Sequence, residues 1–423
     1  MKSGVLFQLA ASLLLLTACA ATHGYVGSDS SGGKAASDAT TYASGARTTA
    51  SDARTTSSDA RTQCQLAAPT FTSPLVKGGA APAQPSTAPG SALAVMFGRT
   101  PVDLLSYTVQ IVDTNGHVVA SAKAHLRSQI SGTCGNDVPL SSPMPLISAS
   151  AGRVYYLDGD TDVRYLAPDG STGFVTRLPG SSQSVAMFAV SPDDSRIAVA
   201  VFDYRSHPVA ARLYIENLTG GARSDLHPSG LPYRWPVGWH SGELVVGSDS
   251  NPYPQFGFYA PLPYKMASLQ LVDRSTGYEI APLSSPYCKA QPSLPSPSGV
   301  ACATSDLNVG RTDWTGSTTI FATGSQFTGG ASLSPDGSQL LASGTGALLK
   351  LINSPETAST VATLGVSYPK GGGYPGDGGW LDAFHVVYRV AGSSDQVVID
   401  VRSQGIVALP VGTVLAARLP GGY

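Results

Sequence analysis

The chain has 423 residues, 42% hydrophobic and only 13% charged, with 47 Gly, 31 Pro and a formal net charge of −2. That balance fits a large, turn-rich globular core and excludes a charged disordered polymer. With 26 Lys and Arg and no basic run long enough to follow a phosphate backbone, it also excludes a nucleic-acid partner.

Met1 and Lys2 precede an apolar run from Val5 to Leu16, which closes on Leu16-Thr17-Ala18-Cys19. A basic start, a short apolar stretch and small residues before a cut have the layout of an export signal over residues 1–18, too short to cross a bilayer. Leu-Thr-Ala-Cys resembles the lipobox of bacterial lipoproteins. The resemblance implies that Cys19 carries acyl chains, palmitate among them, and becomes the first residue after processing. Several chains at about 0.8 kcal/mol per buried methylene anchor a protein where one chain is marginal. The expected location is a cell membrane, lipid-anchored on the extracytoplasmic side. An ordinary secretory signal with Cys19 incidental is the alternative.

Residues 19–90 form a tether. Ala, Ser, Thr, Gly and Asp dominate as far as residue 62, with a seven-residue echo at Ser37, Ser44, Ser51 and Ser58, and Pro69, Pro74, Pro82, Pro85 and Pro89 follow. A period of seven invites a coiled coil, but only Ala recurs among the apolar residues. Such a segment buries too little apolar surface to order itself and acts as a solvated spacer.

Cys64, Cys134, Cys288 and Cys302 remain after Cys19, an even number that suits disulfides in an exported chain. Three pairings are possible, and proximity favours Cys288 with Cys302 and Cys64 with Cys134. Each bond would contribute about 2–4 kcal/mol. Without a Cys-x-x-Cys, zinc and thiol-redox chemistry have little support.

From Ala92 onward short β-rich runs alternate with hairpin-grade turns, so the domain over residues 91–423 is expected to be all-β. Val185–Val190, Ser191-Pro192-Asp193-Asp194 and Ile197–Phe202 read as strand, tight turn, strand. The pattern returns at Ser334-Pro335-Asp336-Gly337, 143 residues later, or three units of about 48. Ser296-Pro297-Ser298-Gly299, Gly238–Gly242 and Gly379–Asp382 fill the intermediate and later units. A period in the forties with four strands per unit predicts a β-propeller. Seven four-stranded blades are expected near residues 92–127, 144–180, 184–228, 233–284, 286–328, 330–366 and 378–410, with six or eight as alternatives. The first unit lacks an inner strand, and Gly412–Leu419 is left over at the other end. The C-terminal strand is therefore expected to complete the first blade and close the ring.

The repeat resembles that of TolB-type, WD-repeat-like bacterial propellers, in which this turn links the innermost strand to the second. The match is good only at Ser191–Asp194 and Ser334–Gly337, and a tether stands where a TolB protein carries an α/β domain. The resemblance implies a binding or scaffold module, and such folds also serve as enzymes.

Candidate chemistry is sparse. No Gly-x-Ser-x-Gly elbow and no closely spaced His pair occurs, so no catalytic residue, metal site or cofactor is expected. Asp158-Gly159-Asp160-Thr161-Asp162 has the alternating carboxylates of a calcium loop, but Val163 stands where that loop needs Gly, and a plain hairpin turn is favoured. The unusual insert Asn251–Tyr264 carries Tyr253, Phe256, Phe258, Tyr259 and Tyr264 with four prolines, which makes it a candidate binding loop or a cover for a blade edge. Trp235, Trp239, Trp314 and Trp380 are expected to pack between blades. The sequence thus points to a monomeric lipoprotein whose propeller binds a protein or cell-envelope ligand. A carbohydrate-active or other enzyme with a central-channel site, and a purely structural envelope component, are the alternatives.

Overall fold

The two Ser-Pro-Asp turns hold themselves closed in the same way. Ser191 Oγ donates to Asp193 at 2.6 Å and accepts from the Arg196 amide at 2.9 Å. Ser334 Oγ donates to Asp336 at 2.6 Å and accepts from the Gln339 amide at 3.0 Å. The fourth residue takes a left-handed backbone, Asp194 at φ 58° and Gly337 at φ 72°.

A computed structural model of the chain describes residues 86–99, 105–128, 147–206, 208–227, 230–250, 255–256, 263–324, 327–344, 348–353, 361–367, 378–389 and 395–423. The export signal, Cys19, the tether to residue 85, Cys64, Cys134, Tyr253, Phe258 and Tyr259 lie outside the described residues.

The described residues are all strand and turn. The first blade holds β1 (Leu93–Arg99), β2 (Ser106–Val112) and β3 (Val118–His125). The second holds β4 (Ile147–Ala149), β5 (Val154–Asp158), β6 (Asp162–Leu166) and β7 (Thr172–Arg177). The third is β8 (Ser184–Val190), β9 (Arg196–Asp203), β10 (Ala210–Asn217) and β11 (Ser224–Asp225). In the fourth, β12 (Tyr233–His240) and β13 (Glu243–Asp249) precede a hairpin, β14 (Gln255–Phe256) with β15 (Pro263–Lys265), before β16 (Ser268–Val272) and β17 (Glu279–Pro282). The fifth is β18 (Lys289–Ala290), β19 (Val300–Ala303), β20 (Val309–Thr312) and β21 (Thr318–Ala322). The sixth is β22 (Phe327–Leu333), β23 (Gln339–Gly344), β24 (Leu348–Asn353) and β25 (Val361–Ser367). The seventh is β26 (Gly379–Trp380), β27 (His385–Arg389), β28 (Gln396–Asp400) and β29 (Ile406–Ala408), and β30 (Thr413–Leu419) follows.

Each set forms a four-stranded antiparallel sheet, and the seven sheets make a ring, a seven-bladed propeller. The first sheet runs β3-β2-β1-β30, so the last strand of the chain supplies its inner edge. It pairs from Leu93 with Leu419 to Gly98 with Thr413. This pairing closes the ring and removes the open edge that β1 would otherwise present.

Burial explains the sequence pattern. Every residue of β9 after Arg196 is buried because both faces of an inner sheet are covered, and its run of Ile, Ala, Val and Phe is continuous rather than alternating. Strand β3, on an outer edge, alternates exposed and buried positions. Among the described residues seven clusters of buried apolar side chains occur, one at each blade junction. Met187, Trp235 and Leu244 join the third and fourth blades, and Met96 and Leu415 pack with Leu381 and Val387 where the ring closes. Each such side chain contributes about 1.5–3 kcal/mol on burial. Within the fifth blade Cys288 and Cys302 are joined by a disulfide.

Polar clasps repeat with the blades. Trp239 Nε1 donates to the Ala189 carbonyl at 3.2 Å, and Trp380 Nε1 to the Ser332 carbonyl at 3.0 Å, each reaching the inner strand of the preceding blade. Arg153 of the second blade pairs with Asp194 at 3.0 Å, and Arg311 of the fifth donates to the Gly337 carbonyl at 3.0 Å. Each arginine thus holds the turn of the blade that follows.

Candidate functional site

The turns between first and second strands of the third to seventh blades border a cavity of about 760 Å³. Its wall contains Pro192, Pro297, Pro335, Leu381 and Trp239, with Arg196, Arg274 and Arg418 as cations and Asp193 and Asp382 as carboxylates. The Ser-Pro-Asp turns are joints of the scaffold, and they also form part of the rim of this cavity. Both carboxylates serve their own turns. Burial pulls Asp193 upward, but hydrogen bonds from Ser191 and Ser195 outweigh it and hold the group below the usual range. Asp382 accepts from the amides of Phe384 and His385 and from His385 Nδ1.

The tail after β30 runs across the bottom of this cavity. The Gly421 amide donates to the Ser150 carbonyl at 2.7 Å, and the Tyr423 amide to the Trp239 carbonyl at 2.8 Å. The Tyr423 main-chain oxygen lies 2.6 Å from His240 Nδ1, so that nitrogen carries the proton, and the phenol donates to the Val237 carbonyl at 3.3 Å. The ring of Tyr423 fits because β12 has Gly238 there: a Cβ on Gly238 would meet Tyr423 Cε2 at 2.3 Å. Trp314 completes the arrangement, stacking on His240 with centroids 4.2 Å apart and on Tyr423 at 6.0 Å. It is half-buried and packs on the cluster between the fourth and fifth blades, while Trp235, Trp239 and Trp380 are fully buried between blades. Beneath the tail a void of about 50 Å³ remains.

Electrostatics at the tail are set by burial. Arg418 is 6% exposed, its Nη1 donates to the Trp380 carbonyl at 3.1 Å, and Nη2 has no partner. Burial pushes this guanidinium down to about 10, opposed by Tyr423. Burial likewise raises the Tyr423 phenol to about 12 against the pull of Arg418. His240 is lowered by burial, with its bond to Tyr423 acting the other way.

The carboxylates Asp158, Asp160 and Asp162 have separate partners. Asp158 accepts from the His125 amide at 2.8 Å and pairs with Arg164 at 3.0 Å, Asp160 accepts from the Ser128 amide, and Asp162 pairs with Arg177 at 2.7 Å. Of the insert in the fourth blade only the hairpin β14–β15 is described, and it carries Phe256 and Tyr264. Nothing in the sequence motifs singled out Arg418 or the tail after it. One signal was present: Arg418 is a lone cation in the apolar run Val414–Leu419.

No protein-family model and no curated protein matches the chain. Solved structures similar to it include TolB from Acinetobacter baumannii, at 14% identity and TM-score 0.35 over 78% of this chain and 68% of that one. AztD from Citrobacter koseri, in its apo form, is 13% identical with TM-score 0.39 over 78% of this chain and 98% of that one. A chain of a nidogen/laminin complex is 12% identical with TM-score 0.31 over 77% and 98%.

Proposed function

We propose that this chain is an extracytoplasmic lipoprotein whose propeller is a binding and scaffold module for a protein or cell-envelope partner, engaged through the end of the ring that carries the first-to-second-strand turns. The observation that carries the reading is the cavity of about 760 Å³ at that end, walled by six of the seven blades, all but the second, and by the tail. Rigid, closed walls present a preformed surface, which lowers the ordering cost of binding. Both rim carboxylates are spent on their turns, which favours binding over acid-base catalysis. Acylation at Cys19 supplies the anchor. Ser86 is bonded to Asp194 and Gly152 of the ring, so the spacer read from composition between the anchor and the ring runs over residues 19–85.

The test uses the full chain in its membrane, with a photo-crosslinking residue at Ala383 on the cavity rim or at Val411, 85% exposed at the other end of the β30 strand. A discrete cross-linked partner from Ala383 and none from Val411 is expected; equal products from both would overturn the choice of face. Labelling with a palmitate analogue should mark the wild type and not Cys19→Ser, and equal labelling would remove the anchor.

A further inference from the structure

Arg418 is out of place for a purely structural residue. It lies on the inner strand of the first blade, 6% exposed, where every other position from Val414 to Leu419 is Val, Leu or Ala. A buried charge is retained without loss of stability only when its hydrogen-bonding capacity and its charge are answered. Arg234, 4% exposed, gives both terminal nitrogens to carbonyls, Nη1 to His227 at 2.7 Å and Nη2 to Gly277 at 3.0 Å, and leaves only Nε without a partner. Arg418 spends Nη1 on Trp380 and leaves Nη2 without a partner, and the group that acts electrostatically upon it is the phenol of Tyr423, not a carboxylate. Unlike Arg234 it lines a cavity. It forms part of the wall of both the large cavity and the small void beneath the tail. The rim above adds Arg196 and the exposed Arg274, while the two rim carboxylates are held by their own turns.

Resting on the reading of this end of the ring as a binding face, we propose that the cavity takes a ligand with an oxyanion head and an apolar body. The head pairs with Arg418 and is drawn in by Arg274 and Arg196, and the body packs against Trp239, Leu381 and the rim prolines. A bidentate guanidinium contact supplies the acceptor that Nη2 lacks. The cavity volume of about 760 Å³ accommodates a small organic acid or the acidic end of a larger partner.

The experiment is calorimetric titration of the full chain in detergent with 4-phenylbutyrate, with 4-phenylbutyramide, which keeps the body and removes the charge, and with inorganic phosphate, which keeps an oxyanion and removes the body. The acid is expected to bind about 10- to 100-fold more tightly than the amide, the range of a charge-assisted hydrogen bond converted to affinity. Arg418→Met is expected to erase that preference and Arg274→Gln to weaken it and its salt dependence. If Arg418→Met does not fold, Arg418→Lys, which keeps the charge and loses the planar fork, is expected to reduce the preference without abolishing it. Equal binding of acid and amide, no binding of either, or an unchanged preference in folded Arg418→Met or in Arg418→Lys overturns the proposal. Phosphate binding as tight as the acid assigns the head alone and removes the apolar body. A partner cross-linked from Ala383 with no acid bound would sink the oxyanion and leave the binding face standing, whereas acid bound with no cross-link would do the reverse.

Discussion

Asp194 allows the clasp between blades to be measured. Its left-handed backbone costs an L-residue about 1–2 kcal/mol, and the same position in the sixth blade is Gly337. Gly in place of Asp194 therefore relieves strain. Against that stands a carboxylate 3% exposed that accepts from Arg153 Nη1 at 3.0 Å, from the Tyr155 hydroxyl at 2.8 Å and from the Ser86 amide at 2.7 Å. Removing one partner of a buried pair costs about 3–5 kcal/mol, so Asp194→Gly is expected to destabilise the ring by about 1–4 kcal/mol. Urea denaturation should show a lower midpoint at unchanged slope. Adding Arg153→Met removes the cation whose carboxylate has gone and should restore part of the loss. A cost below about 1 kcal/mol, the value of an exposed pair, would refute the reasoning.

Three other outcomes follow from the same geometry. Gly238→Ala places a Cβ 2.3 Å from the Tyr423 ring, so the tail should leave its slot, with faster hydrogen exchange at the Tyr423 amide and altered Trp314 fluorescence; unchanged exchange would show that the slot is wide enough. For His240, burial keeps the folded imidazole below its ordinary 6.5, so the unfolded chain binds the proton more readily. The stability it contributes is present above pH about 6.5 and declines as pH falls below that value toward the folded pKa; His240→Gln should flatten this part of the profile, and a profile equally steep in the variant would assign it elsewhere. A chain ending at Pro410 loses β30, with buried Val414, Leu415 and Leu419, and bares β1; it should associate or melt at lower temperature than the intact protein, and a monomer of unchanged melting would contradict closure.

The architecture was legible because a propeller is local. Each blade is an antiparallel sheet of neighbouring strands, so turn chemistry such as Ser191-Pro192-Asp193 and the continuous apolar run of β9 carry it directly, and a missing inner strand in the first unit with a spare strand after the last shows how the ring closes. The second copy of the turn, Ser334–Gly337, supplied the period and with it the blade number. Trp314 packs between blades as expected, from the fifth onto the fourth, but its ring partner His240 lies 74 residues away and no local pattern pairs the two.

What the sequence alone determined, then, is the blade: strand order, turn type and the strand that completes the first, while the structure chose Cys288–Cys302 from three possible pairings. The ring decided the site. Arg418, Tyr423, His240, Trp314 and Pro192 lie up to 231 residues apart and meet because seven similar blades point the same ends of their inner strands at one axis. No local pattern encodes that convergence, since what marks Arg418 is a buried Nη2 without a partner on a cavity wall, and only packing reveals which neighbours a buried charge lacks.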